Sequence, residues 1–237
     1  MNRKKTTYRL IIALLLLCVI VLLINFMSGY VLGVSQVPTP SMENTVLAGD
    51  RIAVGTIRGS IERNEIIVFN DPAGSDMQLL KRVIGLPGDT VLIRSGIVYI
   101  NGSAIAPPAA IRQAPSAAVL DFPHPDLGWT LHYFGPVVVP QKGASVLLDS
   151  MNMPLYQLMI RVERGEEITC AELPTERYVF TTNGYFVLGD SRTNSIDSRH
   201  FGFVSQELLV GRALMVVFSR DPHTGQIRWG DIGKRLD

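Results

Sequence analysis

The chain has 237 residues, 47% of them hydrophobic, with 22 Lys and Arg against 21 Asp and Glu. That length can bury a substantial core in one or two domains. A formal net charge of +1, without a long basic tract, gives counterion release little to act on and excludes nucleic acid as a partner.

Residues 10–34 contain no charged side chain, and a helix of about 20 apolar residues crosses a bilayer. A single transmembrane helix is therefore expected over 10–34. The rival reading is a cleaved secretory signal, whose apolar region is usually about 7 to 15 residues long and ends at a small-residue cleavage site. Arg3, Lys4, Lys5 and Arg9 precede the span. Positive flanks stay inside, so residues 1–9 are expected in the cytoplasm and the body outside it. Cys18 falls in the span and Cys170 in the body, too far apart to pair. No Cys or His spacing suggests zinc.

Short β-type runs follow at 51–54, 65–69, 79–86, 90–93 and 97–100, separated by Gly, Pro, Asn and Asp. Ser95-Gly96 between two of them marks a hairpin. Composition shifts at Ala106-Pro107-Pro108, and the Pro-rich stretch beyond is irregular until strands are expected again near Val137 and Leu155. Further strand signals lie at 185–188 and 208–218. The expected fold is mainly β: a transmembrane helix, then a β-rich domain in two parts, 35–106 and 181–237. A partly irregular β subdomain is inserted at 107–180.

Two residues carry the chemistry. Ser41 sits in the proline-stiffened segment Val37-Pro38-Thr39-Pro40-Ser41-Met42, only seven residues beyond the expected span, so at most about 25 Å from its end. The body holds three lysines. Lys142 and Lys234 lie in turn and polar-tail contexts that leave an ammonium solvated. Lys81 lies in an apolar strand, sharing a face with Leu79 and Val83 while Arg82 points the other way. One of these two cations must be half buried or paired. A buried lysine loses its proton more readily, and a neutral amine beside a serine is a general base. The bland alternative is a lysine that snorkels its charge into water. A polar segment, residues 189–202, packs hydroxyls, an amide and opposite charges between two strand signals. It reads either as an ordinary loop or as a network that orients the lysine.

Three segments in order and spacing, Pro38-Thr39-Pro40-Ser41-Met42-Glu43-Asn44, Lys81-Arg82-Val83-Ile84-Gly85-Leu86-Pro87-Gly88-Asp89 and residues 189–202, resemble the sequence boxes of bacterial type I signal peptidase. Phe134-Gly135-Pro136 and Arg228-Trp229 are similar to weaker features of that family, so the likeness covers nearly the whole chain. The resemblance implies a serine endopeptidase that removes signal peptides from exported precursors at the outer face of the cytoplasmic membrane, with secretory precursors and membrane lipid as partners and no cofactor. It implies Ser41 as nucleophile and Lys81 as general base. It further implies Ser195 as a hydrogen-bond partner of the lysine, Asp197 and Arg199 as a supporting pair, and Thr39 with the Ser41 N–H as oxyanion donors. Met42 is expected to line a shallow pocket for a small substrate side chain. Asn44, Ser191 and Thr39 depart from the family's usual residues at their positions.

A histidine-based triad is the first rival, but no Gly-x-Ser-x-Gly occurs. A conjugation-type maturation peptidase shares the dyad and differs in substrate. Self-cleaving repressor peptidases need a DNA-binding domain where this chain has an apolar run. A membrane-tethered β domain that only binds partners is the reading from another class.

Overall fold

The computed structural model describes residues 31–108, 111, 128–166 and 177–236, together with residues 8, 12, 14–16 and 18. Most of the expected span lies outside these. Among the described residues no helix is long and apolar enough to cross a membrane.

In chain order the strands are β1 (Val31–Gln36), β2 (Arg51–Gly55), β3 (Ile66–Asn70), β4 (Gln78–Gly85), β5 (Thr90–Arg94), β6 (Ile97–Ile100), β7 (Ser103–Ala104), β8 (Phe134–Val138) and β9 (Ser145–Val146). Helix α1 (Met153–Arg164) follows, then β10 (Tyr178–Val179), β11 (Gly184–Leu188), the one-turn helix α2 (Ser198–Phe201), β12 (Val204–Ser205) and β13 (Leu209–Phe218). The order β1, β2, β13, β3, β4, β11, β12 makes a seven-stranded antiparallel sheet. A second sheet holds β7, β6, β5 and β8, and a third pairs β10 with β9.

Both faces of the large sheet are apolar, because alternate residues of a strand point to opposite sides. Ile66 and Val68 of β3 pack with Met42, Ile52, Val54, Ala213 and Val216. Their neighbours Ile67 and Phe69 pack on the other side with Ile61, Val83, Tyr185 and Val187. A third cluster joins the small sheet to the large one, as Phe186 and Leu188 of β11 meet Val91, Phe134 and Ile160.

The expected strands at 51–54, 65–69, 79–86, 90–93, 97–100, 185–188 and 208–218 all form, within a residue or so at their ends. The hairpin closes at Ser95 and Gly96, both at positive φ (51° and 77°), with Arg94 opposite Ile97. That is the backbone a two-residue turn between twisted strands requires.

Three expectations are corrected. Residues 31–34, assigned to the transmembrane helix, belong to β1 and pair with β2. Val31 and Val34 are β-branched and find a strand to pair with, leaving residues 10–30 for any span. Leu155, expected in a strand, lies in α1, whose Leu155, Tyr156, Met159 and Ile160 form one buried stripe. Pro154 in the first turn, Arg161 and Arg164 in the last, and left-handed Gly165 at the C-terminus frame that helix. Finally, the chain leaves the large sheet at Thr90, well before the composition shift at 106, because β5, β6 and β7 belong to the small sheet.

Candidate active site

Ser41 is the middle residue of a 3-10 turn, Pro40–Met42. Thr39 before it is extended, and Pro40 starts the turn with φ fixed by its ring. The Glu43 N–H closes the turn on Pro40 O at 2.9 Å, and Thr45 and Val46 N–H both bond Met42 O. Asn44 has φ 88°, a left-handed conformation closed to proline, whose φ is locked near −65°. The departure from the family's usual residue there thus matches the local backbone. Met42 is fully buried among Val37, Val46 and Ile52, worth roughly 1.5–3 kcal/mol of burial. It offers no surface to a peptide, so its expected place in a substrate pocket is corrected: it is core beneath Ser41.

Lys81 lies opposite Ile67 of β3. On its other side β11 pairs with β4 only from Arg82 onward, and the turn bearing Ser41 comes up beside the strand. Lys81 is 3% exposed, and its Nζ donates to Ser41 Oγ at 2.7 Å. Burial lowers its pKa from 10.5 to about 8, opposed by the negative charges of Asp197 and Asp190. Thr39 Oγ1 lies 3.1 Å from Ser41 Oγ. The serine hydroxyl is therefore met by an amine and a second hydroxyl, and by no histidine among the described residues.

Arg82 is buried as deeply as its neighbour, at 1% exposed. It grips Asp190 side-on, Nε to Oδ1 at 2.9 Å and Nη2 to Oδ2 at 2.8 Å, while Nη1 donates to Asn64 O. Thr45 Oγ1 donates to the same carboxylate. The sequence expectation allowed one buried cation in this strand; there are two, one on each face. Arg82, Asp190 and Thr45 were not singled out as site residues. The signal available was the strand alternation that puts Arg82 inside whenever both sheet faces are covered.

Residues 189–199 fold back onto Ser41. The Ser191 N–H donates to Ser41 O at 3.1 Å. Gly189 makes the close approach possible, since a Cβ there would lie 2.1 Å from Ser195 Oγ and 2.5 Å from Ser41 O. Asp197 and Arg199 form a buried, two-point ion pair. Asp197 also accepts from the Gly189 N–H at 3.1 Å, and Arg199 donates to the carbonyls of Arg192 and Leu131. Burial works against the charge of Asp197, but Arg199, His200 and the Gly189 N–H hold its carboxyl well below the usual carboxylate range. The pair thus holds the backbone that supports Ser41. Ser195 is buried at 1% exposed against Gly189, yet its Oγ makes no hydrogen bond. The expected bond from Ser195 to Lys81 is absent; the amine spends its contact on Ser41.

The family model described as "Signal peptidase, peptidase S26" matches residues 9–218. The chain belongs to that family, and by that membership is a serine endopeptidase. It is 27% identical over 221 residues to signal peptidase I S of Bacillus subtilis (strain 168), covering 92% of each chain. It is 31% identical over 183 residues to signal peptidase I of Bacillus amyloliquefaciens, covering 75% of this chain and 69% of that one. The probable signal peptidase I-2 of Synechocystis sp. is 29% identical over 193 residues, and the match spans only 60% of that protein. The crystal structure of a signal peptidase I from Enterococcus faecalis V583 aligns over 66% of this chain and 98% of its own, at 26% identity and a TM-score of 0.36.

Proposed function

We propose that this protein cleaves signal peptides from exported precursors with Ser41 as nucleophile and Lys81 as general base. The observation that carries the reading is the 2.7 Å contact between Lys81 Nζ and Ser41 Oγ, with the amine buried and its pKa drawn down to about 8. A neutral amine at that distance accepts the serine proton as Oγ attacks the scissile carbonyl. The resulting ammonium then protonates the departing amine, leaving an acyl-enzyme on Ser41. Lys81, neutral again, takes a proton from the water that releases the acid. The oxyanion is met by the Ser41 N–H and the Thr39 hydroxyl, and a dry site makes such donors worth more than in water.

Residues 78–81 of β4 have β3 on one side and, among the described residues, no strand on the other. An extended peptide lying on that free edge would bring its backbone past Ser41. Catalysis is assigned to the large sheet, with the stretch from Thr90 to about residue 180 as an insertion. The apolar run over residues 10–30 is the proposed single-pass anchor, with residues 1–9 cytoplasmic and the body extracytoplasmic. It supports delivery of a membrane-held precursor in two dimensions. Trp229, 75% exposed, and half-buried Phe218 are candidates for lipid contact.

The test is processing of an exported precursor by the purified protein. Ser41→Ala should abolish it, and Lys81→Arg should do the same, because a guanidinium keeps charge and length but gives up no proton. Unchanged processing by either variant sinks the assignment.

A further inference from the structure

The segment after β13 touches no reacting atom, yet it reaches the loop that follows Ser41 at two points. Residues 42–50 carry the chain from the nucleophile turn to β2. Arg228 Nη2 donates to Ala48 O at 3.0 Å and to Asp50 Oδ1 at 2.8 Å, while its Nε donates to Ser219 Oγ. That hydroxyl in turn donates a hydrogen bond to Asp50 Oδ1, and Asp50 Oδ2 accepts from the Leu47 N–H at 2.9 Å. Nearer the nucleophile, Lys234 Nζ donates to Thr45 O at 2.8 Å. Lys234, which reads in the sequence as a solvated tail residue, is held in register by its neighbours. The tail pairs with β13 through Gly233 N–H to Val216 O, Val216 N–H to Lys234 O and Leu236 N–H to Leu214 O. Leu236, 4% exposed, belongs to the same apolar cluster as Met42 and Val46.

Thr45 is the junction of this arrangement. Its N–H bonds Met42 O, one residue past the nucleophile, and its hydroxyl bonds Asp190, which grips Arg82 next to Lys81. Lys234 holds the remaining polar group, the carbonyl, with a charge-assisted bond. Thr45 is thereby tied to the turn that carries Ser41 and to the strand that carries Lys81.

We propose that Lys234 is a positioning residue for the reaction: by fixing Thr45 from the C-terminal tail, it sets the approach of Ser41 Oγ to Lys81 Nζ. The proposal rests on the Ser41 and Lys81 reading, and small displacements of reacting groups cost much in rate; a 1 Å shift can cost about 100-fold.

The experiment uses the full chain with Lys234→Met, which keeps the side-chain stem, and Lys234→Arg, which keeps a cationic donor. Steady-state kinetics on an exported precursor are measured well below each variant's melting midpoint. For Lys234→Met, kcat is expected to fall about tenfold with KM within about twofold of the parent, and Lys234→Arg is expected to recover most of the loss. An unchanged kcat, a loss carried by KM alone, or no recovery in Lys234→Arg overturns the proposal. Ser41→Ala separates the two failures. If that variant is dead while Lys234→Met is unaffected, only the positioning role falls. If Ser41→Ala still processes precursor, the catalytic reading falls with it.

Discussion

Lys81 and Arg82 are consecutive residues of one strand, both almost wholly buried, and among the described residues only Arg82 holds a carboxylate within ion-pair distance. The partner of Lys81 is the hydroxyl of Ser41. An arginine cannot shed its proton and so needs Asp190; a lysine can, and its burial without a salt bridge favours the neutral amine. The pleat sends the two side chains to opposite faces, so one strand holds a permanent charge and a titrating base side by side.

The titration of Lys81 ties rate and stability to pH. With a pKa of about 8, the rate should rise with pH through that value as the amine becomes neutral, which a pH–rate profile of kcat/KM measures. Stability follows the same proton. Between pH 8 and 10.5 the unfolded chain binds a proton that the folded chain does not, so stability rises with pH there. Below pH 8 the buried ammonium costs the folded state roughly 3 kcal/mol. Lys81→Met is expected to be more stable than the parent by that order at pH 7, with the difference vanishing above pH 10.5, as read by denaturant unfolding at both values.

Thr39 tests the oxyanion assignment. Its hydroxyl lies 3.1 Å from Ser41 Oγ, where a donor can follow charge as it develops on the substrate carbonyl. Thr39→Val, nearly isosteric, should lower kcat by about 100-fold, within the usual effect of removing one such donor. Thr39→Ser should keep most of the activity. Full activity in the valine variant would leave the Ser41 N–H as the donor.

Buried Arg82 and half-buried Arg192 should respond in opposite ways. Asp190→Ala strands the Arg82 guanidinium without its carboxylate, a change that costs about 3–5 kcal/mol when one partner of a buried pair is removed. Arg192 is different: its buried Nε has no acceptor, and burial lowers its pKa to about 10. Arg192→Met should therefore be neutral or stabilising by about 1 kcal/mol. Thermal melts of the two variants decide, and a large loss in Arg192→Met would contradict the account.

Gly189→Ala should be among the most damaging of small substitutions. The added methyl would overlap Ser195 Oγ and Ser41 O, and both belong to the packed support of the nucleophile. A fall in kcat of about 100-fold is expected from displacement of Ser41, measurable on the full chain.

Much of this was legible in the sequence because it is local. Alternation in residues 79–86 placed Lys81 on the face of Val83, and the proline-flanked serine announced a fixed turn. Strands bounded by Gly and Asn were read to within a residue or so at their ends. What was missed depends on distant partners. Nothing local tells β5 to join the small sheet, or Val31 to pair with Gly55 rather than continue a helix. Leu155 is expected in a strand but lies in α1, whose apolar stripe is buried by partners distant in sequence. Met42 was placed in a pocket from its neighbourhood to Ser41, while its side chain enters the core formed by β2, β3 and β13. The Asp190 grip on Arg82 spans 108 positions and leaves no periodic trace.

The order of strands in the large sheet also dictates when the enzyme can first become active. β13 lies between β2, which follows the nucleophile loop, and β3, which flanks the lysine strand. A growing polypeptide that has not yet delivered residues 209–218 has no ladder joining those two halves, so Ser41 and Lys81 are not yet brought together. The two halves of the candidate site are thus held to one another only once β13 is in place between them.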